Sequence, residues 1–123
     1  MGTVGAHGDL RVTLAVDGDR ALLTAEGNLD DFTAGLLRRR LAEAAALGAR
    51  SITVTLGHIG VIDSSGLSAL VFGYKLAHAH GGEFTLCGDD RLVSRLLRRT
   101  GLDRVIPLRP PPVGEAEGRS AAG

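Results

Sequence analysis

The chain has little of what would tie it to a particular partner or compartment. Its 123 residues carry 14 basic and 14 acidic side chains, so bulk charge favours neither nucleic acid nor an anionic membrane as a partner. Cys87 is its single cysteine and cannot form an internal disulfide, so the fold requires no oxidising compartment. No apolar run reaches the length of a membrane span, and no signal peptide precedes the first predicted strand. These absences predict a cytoplasmic protein.

Recognisable catalytic and metal-binding motifs are also missing. The G-x-S-x-G nucleophile elbow does not occur around Ser64 or Ser65, and no Walker loop or G-x-G-x-x-G follows a predicted strand. The four histidines show no zinc-ligand spacing with cysteine or acidic residues. The sequence therefore predicts a binding module without metal or cofactor, rather than an enzyme.

Hydrophobic periodicity predicts alternating strands and helices. Residues 10–16, 21–25, 52–56 and 84–87 read as strands, and Asp17-Gly18-Asp19 predicts a hairpin. Helices are predicted from Asp30 or Asp31 to about residue 47, over 64–79 and after Asp90, with a loop at 57–60 and a last strand at 104–108. The order predicts one α/β domain over residues 9–108, with a mixed sheet of four to five strands covered by three to four helices. Residues 1–8 are expected to be a flexible tail, and residues 109–123 a disordered one.

The most informative segment is V-I-D-S-S-G-L at residues 61–67. An apolar pair ends a strand there, and an acid, two serines and a glycine open the next helix. The unpaired N–H groups and the positive dipole end of a helix start favour an anion such as a phosphate. The alternative is that Ser64 or Ser65 is only an N-cap, a position that serine occupies well. The motif alone leaves both interpretations open.

With its surroundings, this motif resembles the STAS domain of bacterial anti-sigma factor antagonists, also called anti-anti-sigma factors. The resemblance spans residues 10–108. Besides D-S-S-G-L, it rests on the turn G-N-L-D at 27–30, on Gly81-Gly82 and on T-G-L at 100–102. The resemblance implies the STAS fold. Asn28 stands where the family's G-E-L-D turn has glutamate, a departure that bears on the affinity for the partner and on its identity.

What the family does is implied for this chain by the resemblance. Its members bind an anti-sigma factor that is also a serine kinase, which frees a sigma factor for transcription. That kinase is expected to phosphorylate Ser64 and thereby switch the antagonist off, and a serine phosphatase reverses the step. The chain is expected to be a monomer or weak dimer. The alternative is a non-switching STAS subunit of a lipid-transport or stress-signalling assembly.

The same resemblance suggests a partner surface. Its expected members are Asp30, in the partner-facing loop, and Asp63, Ser64, Ser65, Gly66 and Leu67. Within this set, Asp63 is either a capping acid or a partner contact, and Ser65 is expected to be structural. Gly66 is expected to let a backbone of the partner approach closely.

The helix after Ser64 carries two apolar stripes. The first, at i, i+3, i+4 and i+7, is expected to face the core and contains Leu67, Leu70, Val71 and Tyr74. The second, on roughly the opposite side, contains Ala69, Phe72 and Leu76. We interpret the second stripe as an extension of the partner surface, because contiguous exposed apolar patches mark interaction sites. The alternatives are scattered surface apolar residues, which are common, or burial of this side against a neighbouring helix.

Overall fold

The computed structural model describes residues 2–7 and 9–110. In this part of the chain, strands and helices alternate after an opening run of three strands. The elements are β1 (Gly2–His7), β2 (Leu10–Asp17), β3 (Arg20–Leu29), α1 (Ala34–Ala46), β4 (Ser51–Ile62), α2 (Ser64–Ala79), β5 (Glu83–Cys87), α3 (Arg91–Thr100), a 3-10 turn (Leu102–Arg104) and β6 (Leu108–Arg109).

The strands form one six-stranded sheet whose spatial order follows the chain order. β1, β2 and β3 pair antiparallel, whereas β3, β4, β5 and β6 run parallel. Antiparallel neighbours need only a tight turn, such as the predicted hairpin between β2 and β3, while each parallel step needs a crossover, which α1, α2 and α3 provide. The predicted mixed α/β architecture is confirmed, with one strand more than the four to five expected.

Alternation along the strands gives the sheet one apolar face and one polar face. Paired positions on β2, β3, β4 and β5 bury Leu14, Leu23, Val54 and Leu86. The neighbouring positions on β2, β3 and β4 carry the half-buried threonines Thr13, Thr24 and Thr55. Helices α1 and α2 lie side by side on the apolar face, where Gly73 of α2 meets Leu41 of α1 and Phe84 of β5. No helix in the described part of the chain is both long and apolar enough to span a membrane.

The structure corrects the expectation of a flexible tail at the N-terminus. Gly2–His7 is a strand whose backbone pairs with β2, from Gly2 opposite Ala15 to His7 opposite Leu10. Main-chain hydrogen bonding to a sheet edge requires no particular side chain. A strand made mostly of small residues therefore shows no alternation of apolar and polar side chains by which it could be predicted. At the other end, the disordered tail expected at 109–123 does not begin at Arg109, because this residue belongs to β6 and pairs with β5. Residues 111–123 of that expected tail lie outside the described residues.

Three predicted element boundaries are wrong. Helix α1 begins at Ala34 instead of directly after Asp30 or Asp31, because a four-residue turn precedes it. The loop predicted at 57–60 belongs to β4, which continues to Ile62 and stays paired with β3 through two register shifts. The last strand is Leu108–Arg109 instead of 104–108, because Gly101, at φ 77°, leads the chain into the 3-10 turn first.

Candidate functional site

The start of α2 is capped by Asp63, whose backbone is extended. Its Oδ1 atom accepts hydrogen bonds from the backbone N–H groups of Ser65, at 2.9 Å, and Gly66, at 3.0 Å. The alternative of an N-cap at Ser64 or Ser65 therefore places the cap one or two residues too late. Because the Asp63 carboxylate already takes these two N–H groups, the helix start holds an anion of its own.

The same carboxylate joins α2 to the loop that follows β3. Asp63 Oδ2 accepts a hydrogen bond from the backbone N–H of Asp31 at 3.2 Å. In return, Ser65 Oγ donates to Asp31 Oδ1 at 3.1 Å. These two reciprocal bonds fix the first turn of α2 against the loop. They agree with a structural role for Ser65 and show that Asp63 acts as a capping acid.

Asp30 shapes that loop from inside. Its Oδ1 atom accepts hydrogen bonds from the backbone N–H groups of Phe32, at 3.0 Å, and Thr33, at 3.2 Å. The hydroxyl of Thr33, which is buried, accepts from the backbone N–H of Asp30 at 2.9 Å and donates to the carbonyl of Asn28 at 2.7 Å. Asp30 thus closes an aspartate turn, a local role that its type performs well. Its contact with a partner stays a prediction.

Gly66 serves the chain's own backbone and not a partner's. A Cβ atom at this position would lie 2.2 Å from the carbonyl oxygen of Leu29 at the end of β3. The backbone N–H of Asp63 also donates to that oxygen at 3.3 Å. Gly66 and Leu67 are both buried, so the expectation that they face a partner is wrong.

Ser64 is the exposed residue of D-S-S-G-L. In the part of the chain that the structure describes, its hydroxyl makes no hydrogen bond, unlike that of Ser65. Two large apolar side chains are exposed on the segments that meet here: Phe32, next to the Asp31 that bonds to the start of α2, is 81% exposed, and Val61, shortly before the cap, is 45% exposed. We refer to Phe32, Val61 and Ser64 as the switch surface. It joins an accessible hydroxyl to apolar area that is open to solvent.

The second apolar stripe of α2 is not an exposed face. Ala69 is completely buried, so its assignment to a partner surface is wrong. Phe72 and Leu76 are half-buried and pack against the core, and the Phe72 ring lies beside Arg38 of α1. This matches the alternative of burial against a neighbouring helix. A contact of Phe72 or Leu76 with a partner remains a prediction for their exposed portions alone.

The predicted core stripe of α2 is confirmed for Leu67 and Leu70, which are buried, and Val71 and Tyr74 pack against the core. The error concerns the second stripe, where small residues let the helix approach its neighbours closely. Buried positions of α2 include Gly66, Ala69, Gly73 and Ala77, a pattern of i, i+3, i+7 and i+11. At Gly73, an added Cβ would lie 2.7 Å from the Phe84 ring. This small-residue spacing is the signal in the sequence that identifies the face of closest approach.

The site offers no evident place for a metal ion. Among residues 2–7 and 9–110, no group of three or more histidine, cysteine, aspartate or glutamate side chains is arranged to hold one. Asp30, Asp31 and Asp63 lie close together, but their carboxylates accept hydrogen bonds from the loop and from α2.

Comparison with known proteins decides the family. The family model described as "STAS domain" matches residues 11–114. The chain belongs to the STAS-domain family. It is 32% identical over 88 residues to an anti-sigma F factor antagonist of Paenibacillus polymyxa, covering 71% of this chain and 75% of that one. It is 30% identical over 82 residues to an anti-sigma-B factor antagonist of Bacillus subtilis, covering 67% and 74%.

The STAS fold is shared with the anti-sigma factor antagonist SpoIIAA. Its unphosphorylated form aligns with a TM-score of 0.72 and 18% identity, over 91% of this chain and 97% of that one. The phosphorylated form of this Bacillus protein aligns with a TM-score of 0.67 and 19% identity, over 89% and 98%. The resemblance to the STAS domain is thereby confirmed at the level of family and fold.

Within this STAS domain, Asp30, Asp63, Ser64 and Ser65 lie where the end of β3 meets the start of α2, whereas Ala69 is buried and Leu76 lies near the other end of α2. Asp31 and Phe32 were not among the residues predicted for the site. The sequence does contain a signal for them, because they lie at or directly after the end of the G-N-L-D turn. Since β3 and β4 pair in parallel, this turn and the D-S-S-G motif lie at the same edge of the sheet.

Proposed function

We propose that this protein is an anti-sigma factor antagonist that binds an anti-sigma factor through the switch surface and is released by phosphorylation of Ser64. The observation that carries the proposal is the exposed Ser64 hydroxyl, without a hydrogen bond in the described part of the chain, at the start of α2. Relatives named as antagonists of anti-sigma factors support the class of partner. In this proposal the partner carries the serine kinase activity, a separate serine phosphatase restores the hydroxyl, and all three proteins are cytoplasmic. The protein acts by binding, without catalysis of its own.

The hydrogen bonds around Ser64 explain how a phosphate changes binding without unfolding the domain. A phosphate adds about −1.5 to −2 charges. The N–H groups of Ser65 and Gly66 already bond to Asp63, so the phosphate does not have to displace the cap. Attraction to the helix dipole, about 0.3–1 kcal/mol, is offset by repulsion from nearby Asp63 and Asp31. The net effect on folding is small, and the added charge and bulk are presented to the partner.

The apolar part of the switch surface supplies binding energy. Large aromatic side chains buried at the centre of an interface contribute a major share of affinity. Phe32, which is 81% exposed in the unbound chain, is suited to that role, and Val61 extends its area. A doubly charged group at the neighbouring Ser64 makes burial of this apolar area costly, because the phosphate must lose its water as the interface closes.

The proposal is tested by incubating the protein with its candidate kinase and ATP, followed by intact-mass measurement and peptide mapping. We expect one phosphate on the wild-type chain at Ser64 and none on Ser64→Ala. The matched control is Ser65→Ala, which should still be phosphorylated at Ser64 even though it loses the bond to Asp31. Phosphorylation of Ser64→Ala to the wild-type extent would refute the assignment.

Binding supplies the second readout. Ser64→Asp should retain a melting temperature near that of the wild type and lose affinity for the anti-sigma factor. A partner that binds wild type, Ser64→Asp and the phosphorylated chain equally well would contradict switching. It would favour a STAS subunit whose serine does not turn over.

A further inference from the structure

One arginine of α1 reaches across to the exposed side of α2. Arg38 Nη2 donates to Ser68 Oγ at 2.8 Å. The Arg38 guanidinium carbon also lies 6.0 Å from the centre of the Phe72 ring. Ser68 follows Ser64 by four residues, which places the two serines one above the other on the same side of a helix. The guanidinium is therefore about one helical turn from the Ser64 hydroxyl.

The helices run in the same direction, which leaves a path from Arg38 to Ser64. Arg38 lies beside Ser68, and Leu41, almost one turn later on α1, lies beside Gly73 of α2. Because α1 and α2 are parallel, the part of α1 that lies beside Ser64 is nearer to the start of α1 than Arg38 is. Arg38 is exposed, so its side chain has room to turn that way.

Arg38 is also a cation without an acidic partner. In the described part of the chain the single ion pair joins Arg40 to Glu43, and Arg38 takes no part in it. Its present acceptor is the neutral hydroxyl of Ser68. A phosphate is a stronger acceptor than a hydroxyl, and the five N–H donors of a guanidinium form a fork that fits phosphate oxygens.

We infer that Arg38 is the residue that binds the phosphate of phosphorylated Ser64. This inference rests on the proposed function, since it deepens the account of the modification at Ser64. In the unmodified chain, the contacts with Ser68 and Phe72 keep the guanidinium beside α2. After modification the Arg38 side chain changes its conformation, so that the guanidinium moves by about one helical turn toward the start of α2 and pairs with the phosphate. The pairing offsets the repulsion from Asp31 and Asp63 and fixes the phosphate against α1.

The test uses the full chain with phosphoserine placed at position 64 during translation, so that no kinase is needed. Three backgrounds are compared: wild type, Arg38→Gln and Arg39→Gln, each with serine and with phosphoserine at position 64. Arg39 is the matched control because it is an exposed arginine next to Arg38 whose Nη1 atom lies near Gly35 of its own helix. Melting temperatures are measured at low salt and again in about 1 M salt, where the Debye length falls to about 3 Å.

We expect phosphoserine to lower the melting temperature of Arg38→Gln by about 2–5 °C more than that of wild type or Arg39→Gln. Loss of the Phe72 contact affects both forms of Arg38→Gln and cancels in this difference. The extra loss should disappear at high salt. In addition, the Nε–Hε resonance of Arg38 in a ¹⁵N-labelled sample should shift on phosphorylation, while that of Arg39 stays in place.

Equal responses of Arg38→Gln and Arg39→Gln at low salt, with no shift of the Arg38 resonance, would overturn the inference. The result is separate from that of the proposed function. A kinase that fails to modify Ser64 refutes the switch and leaves this measurement intact, because the phosphoserine is incorporated directly. Conversely, efficient modification of Ser64 with no coupling to Arg38 refutes the inference alone.

Discussion

Replacement of Gly66 by alanine tests how α2 is seated on the sheet. The new Cβ would lie 2.2 Å from the carbonyl oxygen of Leu29 and 2.8 Å from Leu29 Cγ. Close contacts between carbon and carbonyl oxygen are about 3.3 Å, so the helix start must move by about 1 Å. The obstacle is backbone at the end of β3, which no side-chain rotation can remove.

The magnitude follows from two opposing effects. Overpacking of a well-filled site costs about 1–3 kcal/mol, at the upper end where backbone must move. Alanine recovers about 0.5–1 kcal/mol because it is the better helix residue. We expect a net loss of about 2 kcal/mol in the free energy of unfolding, which corresponds to about 6–10 °C in melting temperature for a domain of this size.

Urea unfolding and a thermal scan measure this loss, with Gly35→Ala as the matched control. Gly35 also lies in the first turn of its helix, but its Cβ would have Arg39 Nη1, at 3.7 Å, as its nearest neighbour. That variant should be as stable as wild type or up to about 1 kcal/mol more stable. If Gly66→Ala unfolds within about 0.5 kcal/mol of wild type, the close approach to Leu29 does not determine the position of α2.

Two further substitutions separate the scaffold of the site from its binding surface. Asp63→Ala removes the acceptor for Ser65, Gly66 and Asp31, so we expect a loss of about 0.5–2 kcal/mol in urea unfolding; wild-type stability would contradict the capping role. Phe32→Ala should leave stability within about 0.5 kcal/mol of wild type, because the ring is exposed, and weaken binding to the anti-sigma factor at least fivefold in a titration. Unchanged affinity would remove Phe32 from the switch surface.

Much of the fold follows from local patterns in the sequence. The alternation from Leu10 to Val16 and the hairpin at Gly18 predict β2 and the turn into β3, and both are present. The glycine at 101 ends α3 in the left-handed conformation, as its position after the helical stripe predicts. These features depend on residues close in sequence, which is why periodicity and turn chemistry detect them.

The errors lie where distant residues decide the outcome. β4 continues through Gly57 and Gly60 because its neighbour β3 pairs with it, although two glycines in four residues favour a loop locally. The role of Gly66 depends on Leu29, which is far away in sequence and adjacent in space. The start of α1 is the exception, because a local contact decides it: Asp30 bonds to the turn that precedes the helix instead of capping the helix itself.

The roles of the two neighbouring residues Asp63 and Ser64 explain why a switch can be placed at a helix start. If Ser64 were the cap, phosphorylation would modify the very oxygen that holds the first turn, and the signal would cost stability. Because Asp63 provides the cap and Ser65 provides the bond to the loop, Ser64 carries no structural bond from its hydroxyl in the described part of the chain. A modification there leaves the cap and the bond to the loop in place. This separation of capping from switching requires Asp63, Ser64 and Ser65 in this order. If the cap were at Ser64, the stability of the fold would depend on phosphorylation.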